Sequence, residues 1–299
     1  MPSYIESIER DPSLCEENQF TRRIEVTDFI EWHIMGQIEA LLQSPSPPDE
    51  LISLRSRAEK VKSVLEQIDT NLFRRLRATI RKEGFTGAAL MNMVEEYVGF
   101  EVDDNDHRED PGYDSLDIFI NRLFFFEAIP QQTKDPEPEM VYYQKTPARI
   151  VFDLIEAARF SREDVFVDIG SGMGQVAFLV HLLAGIVTKG IEFDPAFCDY
   201  ARACAADLHL SHVTFINRDA RQADYSEGTV FFMFTPFRGA MLQEVLELLR
   251  RESMGRRIKI ITYGPCTAEV AGQSWLEWLT PADNDLYKLA FFRSNGELI

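Results

Sequence analysis

VFVDIGSGMGQ, residues Val165–Gln175, is the stretch on which the reading of this chain turns. Val165, Phe166, Val167 and Ile169 surround Asp168 and read as a short buried strand. Gly170, Gly172 and Gly174 then alternate before a helical pattern opens at Gln175. Working outward, apolar β-rich runs follow at Val187–Glu192, Val213–Asn217, Thr229–Phe234 and Arg257–Tyr263. Helical stretches at Gln175–Leu183, Ala196–Leu208 and Ala240–Arg250 separate them, and WLEWLTPADNDLYKLAFFRSN closes the chain as two antiparallel strands around a PADND turn. Alternation of this kind predicts an α/β domain, a doubly wound, mostly parallel seven-stranded sheet.

The residues before this domain have another texture. The first twenty or so are polar and predict a loose segment. Phe29, Ile30, Ile34, Ile38, Leu41 and Leu42 then recur on one helical face from about Thr27 to Leu42, and SPSPPDE interrupts the pattern because consecutive prolines remove backbone donors. From Pro48 to about Lys82, Leu54, Ala58, Val61, Leu65, Ile68 and Leu72 alternate in steps of four and three, a seam for another helix, expected from the same chain with a dimer coiled coil as the alternative. A short helix over Gly87–Val98 and another over Ser115–Glu127 flank the acidic stretch EVDDNDHREDPGYD, which lacks calcium-loop spacing and reads as a solvated loop. PQQTKDPEPE reads as a linker. The division predicted is a helical N-terminal domain over 1–130, a linker and cofactor-closing segment over 131–145, and the sheet domain over 146–299. The helical domain is expected to cap the open edge of the sheet, supplying part of a substrate pocket and a lid.

Composition excludes several functions. There are 31 basic and 49 acidic residues, a net charge of −18, so unaided binding to nucleic acid or to an anionic membrane is not expected. No apolar run is long enough for a transmembrane helix, and the acidic N-terminus is not a signal peptide. Cys15, Cys198, Cys204 and Cys266 form no CxxC pair and have no histidine at ligand spacing, so no metal site is expected; they read as reduced thiols of a cytoplasmic protein.

The chemistry lies at the carboxyl ends of the strands, where open α/β sheets bind ligands. Glycines there let a ligand press against backbone, and the following helix offers free N–H groups. The loop is neither the dinucleotide GxGxxG, because Gln175 stands at the third glycine, nor a Walker A loop, because no GK[ST] follows. A carboxylate at Asp168 repels a pyrophosphate and suits a ligand bearing an ammonium group, as S-adenosylmethionine does. Glu192 closes the second strand and can accept hydrogen bonds from ribose hydroxyls; Asp219, just past the third, can accept one from an adenine amino group.

Val141–Tyr263 resembles the class I, seven-β-strand S-adenosylmethionine-dependent methyltransferases, with the DxGxGxG loop, Glu192 and Asp219 in order and spacing. Within that superfamily it is most similar to the non-SET histone-lysine methyltransferases, which share a YxxT segment (Tyr143–Thr146), the run D[IL]GSGxGQ (Asp168–Gln175) and GIE (Gly190–Glu192). The resemblance implies a cofactor site of Asp168, Gly170, Ser171, Gly172, Gly174, Gln175, Glu192, Asp219, Ala220 and Thr235, with Tyr143, Lys145 or Thr146 touching the methionine end. It departs at the fourth strand: FFMFTPFRG (Phe231–Gly239) has no Asn where histone enzymes of this type carry an NFAF-like run. Thr235, Tyr143 and Tyr263 are the substrate-side candidates, Tyr263 as proton acceptor or wall. Cys266 has no nearby histidine to activate it, and no histidine stands at a catalytic strand end. The expectation is methyl transfer to a nitrogen or oxygen nucleophile of a small molecule. A SAM enzyme cleaving or cyclising the aminocarboxypropyl arm, a protein-lysine methyltransferase and a non-catalytic SAM-binding scaffold remain alternatives, and the sequence does not give the oligomeric state.

Overall fold

The computed structural model describes residues 2–43, 49–82, 84–99, 112–125, 128–280, 285 and 287–295. Contacts divide the chain into two units, Met1–Ile80 with Met91–Asp103, and Arg81–Leu90 with Asp104–Ile299. The first contains α1 (Pro2–Glu9), two 3₁₀ turns, α2 (Phe20–Phe29), a π turn at Ile30–Met35, α3 (Gly36–Leu42) and α4 (Asp49–Ile80). The expectation of a loose start is corrected. Ile5, Ile8 and Leu14 are buried with Ile30, Ile34, Ile38, Leu54, Ala58 and Leu65, because three well-spaced apolar side chains suffice to dock an otherwise polar segment. The next helix begins at Phe20 rather than Thr27, with Phe20 and Ile24 extending its buried face. The seam on α4 packs within this unit, as expected. Between those residues sits an ion pair: Arg23 Nε donates to Asp69 Oδ1 at 2.7 Å, and its other nitrogens donate to the carbonyls of Leu14, Glu16 and Glu17. Both side chains are almost fully buried.

α5 (Gly87–Tyr97) has residues in both units. Of the acidic stretch, residues 101–111 lie outside the described residues, as do 44–48 of SPSPPDE and 281–284 of the PADND turn. α6 (Ser115–Phe124) opens with a capping box on Asp114 and Asp117 and packs on α7 (Ala148–Ala158), a helix the sequence pattern left unassigned. Asp117 also accepts from the Ala148 amide at 2.8 Å, so one carboxylate ties two helix starts together.

The sheet holds β1 (Val165–Ile169), β2 (Val187–Glu192), β3 (Val213–Asn217), β4 (Val230–Phe234), β5 (Lys259–Tyr263), β6 (Leu276–Trp278) and β7 (Ala290–Ser294). Their order is β3-β2-β1-β4-β5-β7-β6, all parallel except the pairs made by β7. Connecting helices are α8 (Gln175–Ala184), α9 (Pro195–Asp207), α10 (Gly239–Gly255) and the short α11 (Cys266–Ala271). Strand side chains alternate between faces. Val167, Ile169, Phe231 and Met233 pack with Met241, Leu242, Val245 and Leu246 of α10, whereas Phe166 meets Phe160 and Phe232 on the other face. Each such side chain contributes about 1.5–3 kcal/mol by burial. The strand order reverses between β1 and β4, which opens a crevice beyond their carboxyl ends, directly over the glycine loop. Among the described residues no helix is long and apolar enough to cross a membrane.

Candidate active site

A cavity of about 430 Å³ lies at that crevice. Its walls include Gly170, Ile191, Glu192, Phe193, Asp219 and Ala220 after β1, β2 and β3, and Phe234, Thr235, Pro236, Phe237, Cys266 and Glu269 after β4 and β5, with Tyr287. The stretch read as a linker forms a further wall: Gln132, Pro136, Met140, Val141, Tyr142, Tyr143 and Gln144 all face the space. This strap has no helical or strand pattern, yet it is fixed at many points. Thr133 and Lys134 donate their backbone amides to Asp194 Oδ2, both at 2.7 Å. Glu137 pairs with Arg221. Glu139 caps α10 by accepting from the Ala240 and Met241 amides at 3.1 and 2.7 Å, and Met140 bridges Phe237.

At the glycine loop, Gly170 and Ser171 donate their amides to the Ile191 carbonyl, and Gly172 donates to Glu192 Oε2 at 2.7 Å. The glycines make room chiefly for the protein's own side chains. A Cβ at Gly172 would sit 1.9 Å from the Tyr143 ring, one at Gly170 2.4 Å from Pro236, and one at Gly174 2.3 Å from Phe215. Of the three, Gly170 lines the cavity. All three have positive φ, a conformation that glycine adopts without strain.

The electrostatics point to a cation. Asp168 is 3% exposed, and among the described residues its carboxylate has neither a cationic nor a hydrogen-bonding partner. Burial first, and the neighbouring Glu192 second, push its pKa up to about 8. Glu192 is raised as well, again chiefly by burial, although it accepts from the Asp194 and Gly172 amides. Two adjacent buried carboxyls without a positive partner stay protonated more readily than exposed ones, and a cation placed beside them would favour their ionised form. Ser171 Oγ and Gln175 Oε1 are also buried without partners, while Gln175 Nε2 donates to the Thr146 carbonyl. Asp168, Ser171 and Gln175 do not line the cavity, which the loop reaches at Gly170; these polar groups stand behind that wall, where the methionine end of S-adenosylmethionine would lie against the loop, and the wall from Glu192 to Ala220 fits its nucleoside.

The remaining predicted residues take distinct places. Tyr143 lines the cavity, its ring over Gly172 and beside Phe197, and burial raises its phenol. Lys145 is turned aside: its amine donates to Asn121 and lies 4.5 Å from the centre of the Phe125 ring, and burial lowers it to about 8. Asp219 reaches the cavity wall, but both its oxygens accept from Arg221, which holds it below the usual carboxylate range. Ala220 stands beside it and accepts the Tyr225 hydroxyl on its carbonyl. Thr235 lines the cavity with a left-handed φ of 36°; its hydroxyl donates to the Tyr263 carbonyl and accepts from the Cys266 amide. Tyr263 stands behind the wall, packed against Phe234 and Tyr287, and burial pushes it up to about 12. Burial likewise raises the Cys266 thiol, which disfavours the thiolate. Sequence reasoning named 131–145 a linker and cofactor-closing segment but singled out only Tyr143, Lys145 and Thr146 in it, and it missed Gln132, Pro136, Met140, Phe193, Phe197, Glu269 and Tyr287; the Asp-Pro start of α9 was the single legible sign at Asp194.

Residues 136–265, less than half of the chain, match the family model described as histone methylation protein DOT1. No curated protein matches the chain. Among solved structures it is similar to an RNA methyltransferase from Salinibacter ruber in complex with S-adenosyl-L-homocysteine, with 24% identity over 52% of this chain and 96% of that one and a TM-score of 0.42. It is also similar to a putative methyltransferase, yhhF, from Escherichia coli (15%, 54% and 92%, TM-score 0.42) and to a geranyl diphosphate C-methyltransferase from Streptomyces coelicolor A3(2) (20%, 43% and 47%, TM-score 0.32). With its strand order and its glycine loop, the sheet unit of this chain has the seven-stranded fold of class I S-adenosylmethionine-dependent methyltransferases, and over residues 136–265 it is similar to the DOT1 type.

Proposed function

We propose that the chain transfers a methyl group to a nitrogen or oxygen nucleophile of a small molecule, within the cavity beneath the strap. The observation that carries the cofactor assignment is the unpaired Asp168 carboxylate beside Glu192. S-adenosylmethionine supplies a methyl already activated on a sulfonium, so the chain has chiefly to orient the acceptor and exclude water. Orientation of that kind is worth roughly 7–11 kcal/mol. In this reading Asp168, ionised, would hold the ligand's ammonium, Ser171 and Gln175 would take its polar end, and Glu192 would take the ribose hydroxyls. Tyr143, Pro236 and the strap shut the space from water, and Thr235 fixes the loop carrying Phe237. A protonated acceptor also needs its proton removed. Glu269, on the cavity wall and without a cationic partner among the described residues, is the carboxylate placed to receive it.

Aromatic walls and the strap support a small acceptor, and the net charge of −18 disfavours a nucleic acid. A second reading has its own support: the matching family is described by histone methylation, and an acidic chain attracts a basic polypeptide. Incubation with methyl-labelled S-adenosylmethionine and fractionated cell lysate separates the two. Label in the small-molecule fraction with S-adenosylhomocysteine as product is the expected result. Label in protein favours the second reading, and methylthioadenosine as product refutes methyl transfer.

A further inference from the structure

We propose that Asp194 is a positioning residue that latches the strap over the cavity and ties its closure to cofactor occupancy; this rests on the cavity being the S-adenosylmethionine site. As the residue before Pro195, Asp194 serves as an ordinary helix cap, its Oδ1 accepting from the Ala196 and Phe197 amides at 2.9 and 3.2 Å at the start of α9. A cap needs no more than that, and serine performs it as well. The other oxygen does something a cap does not require. Oδ2 accepts the consecutive backbone amides of Thr133 and Lys134, and the Thr133 hydroxyl lies within reach of both oxygens at 3.1 and 3.2 Å. The side chain is 1% exposed. Beside it, Lys134 Nζ donates to the Phe193 carbonyl and sits 4.3 Å from the centre of that ring. One carboxylate thus holds a helix start with one oxygen and, with the other, a strap sixty residues away in sequence.

The same residue touches the cofactor end. The Asp194 amide donates to Glu192 Oε1 at 2.8 Å, and Glu192 Oε2 accepts from Gly172. A continuous run of hydrogen bonds therefore leads from Thr133 and Lys134 through Asp194 and Glu192 to the glycine loop. A ligand engaging Glu192 and the loop braces the residue on which the strap is latched. The strap's far end is zipped to the loop after β4 by the Glu139 cap and the Met140–Phe237 bridge, so the latch governs the end nearer the nucleoside wall.

The test is tryptic cleavage of the Lys134–Asp135 bond in the full-length protein, followed by mass spectrometry, with and without S-adenosylmethionine, whose affinity is measured separately by calorimetry. Two variants are compared, Asp194→Asn, which loses the charged double acceptor, and Asp194→Ser, which keeps the cap on α9 but is too short to reach the strap. The wild type should be cut slowly and about tenfold more slowly with ligand bound; both variants should be cut at least about tenfold faster than wild type, with ligand protection largely lost, since about tenfold is the net of one ordinary hydrogen bond and the latch makes more. If Asp194→Ser is folded and cut at the wild-type rate, the residue is a helix cap and nothing else, and the proposal falls. Ligand that binds yet leaves wild-type cleavage unchanged refutes the coupling, whereas ligand that does not bind at all refutes the site assignment beneath it.

Discussion

Replacing Asp168 with Asn should stabilise the free protein while abolishing its use. In the folded chain the carboxyl is held up to about 8, against an ordinary value near roughly 3.9 in an unfolded chain. Between those values the folded state binds a proton that the unfolded state has released. Stability from this group is therefore complete below pH ~4 and is lost as pH rises, at about 1.4 kcal/mol per pH unit, until the folded carboxyl itself ionises near pH ~8. At pH 7 the accumulated loss is about 4 kcal/mol. Asn matches the protonated carboxyl in shape and does not titrate, so Asp168→Asn should recover most of that amount. The assay is urea unfolding of both proteins at pH 5, 6, 7 and 8. The difference between the two curves should grow by about 1.4 kcal/mol with each pH unit. Ligand binding should run the opposite way: S-adenosylmethionine should bind wild type about tenfold more tightly per pH unit up to pH ~8, and bind the variant about a hundredfold more weakly at pH 8 with no such slope. Parallel stability curves would refute the reasoning, because they would mean that Asp168 is ionised and already paired.

Three further outcomes follow from other parts of the molecule. Asp69→Ala strands the Arg23 guanidinium in the helical unit and should cost about 3–5 kcal/mol in urea unfolding, whereas the apolar pair Arg23→Met with Asp69→Leu should cost far less. Gly172→Ala places a methyl group inside the Tyr143 ring at a left-handed φ of 51°, and should lower stability by about 1–3 kcal/mol in thermal melts and weaken S-adenosylmethionine binding by calorimetry. Glu139→Ala removes the cap supplied to α10 from the strap and should cost about 0.5–2 kcal/mol, read as a lower urea midpoint with an unchanged slope.

The sheet was legible because its signals are local and strong. β1, β2 and β3 begin and end where their apolar runs do, and Gly170, Gly172 and Gly174 announce backbone that other residues cannot adopt. Burial and charge were not legible at single positions. Nothing in the string VFVDIG says that Asp168 stays without a partner, since that depends on what the Glu192 and Asp194 backbone contacts leave over. The strap from Pro130 to Glu139 reads as a linker because its prolines and acids have no period; its order comes from long-range bonds to Asp194, Arg221 and α10. The polar start of the chain misled for a related reason: Ile5, Ile8 and Leu14 are too few to dominate composition but enough to dock. Glycine spacing was read as room for ligand, and the structure fills most of that room with Tyr143, Pro236 and Phe215.

The most direct measurement is isothermal titration of the full-length protein at pH 7 with S-adenosylmethionine, ATP and NADH, repeated in two buffers of different ionisation heat. The sulfonium nucleoside should bind and release close to one proton, drawn from the Asp168–Glu192 pair, while the two phosphate-bearing nucleotides give no heat of binding. Uptake of ATP or NADH with indifference to S-adenosylmethionine would contradict the assignment of this crevice to a cationic ligand.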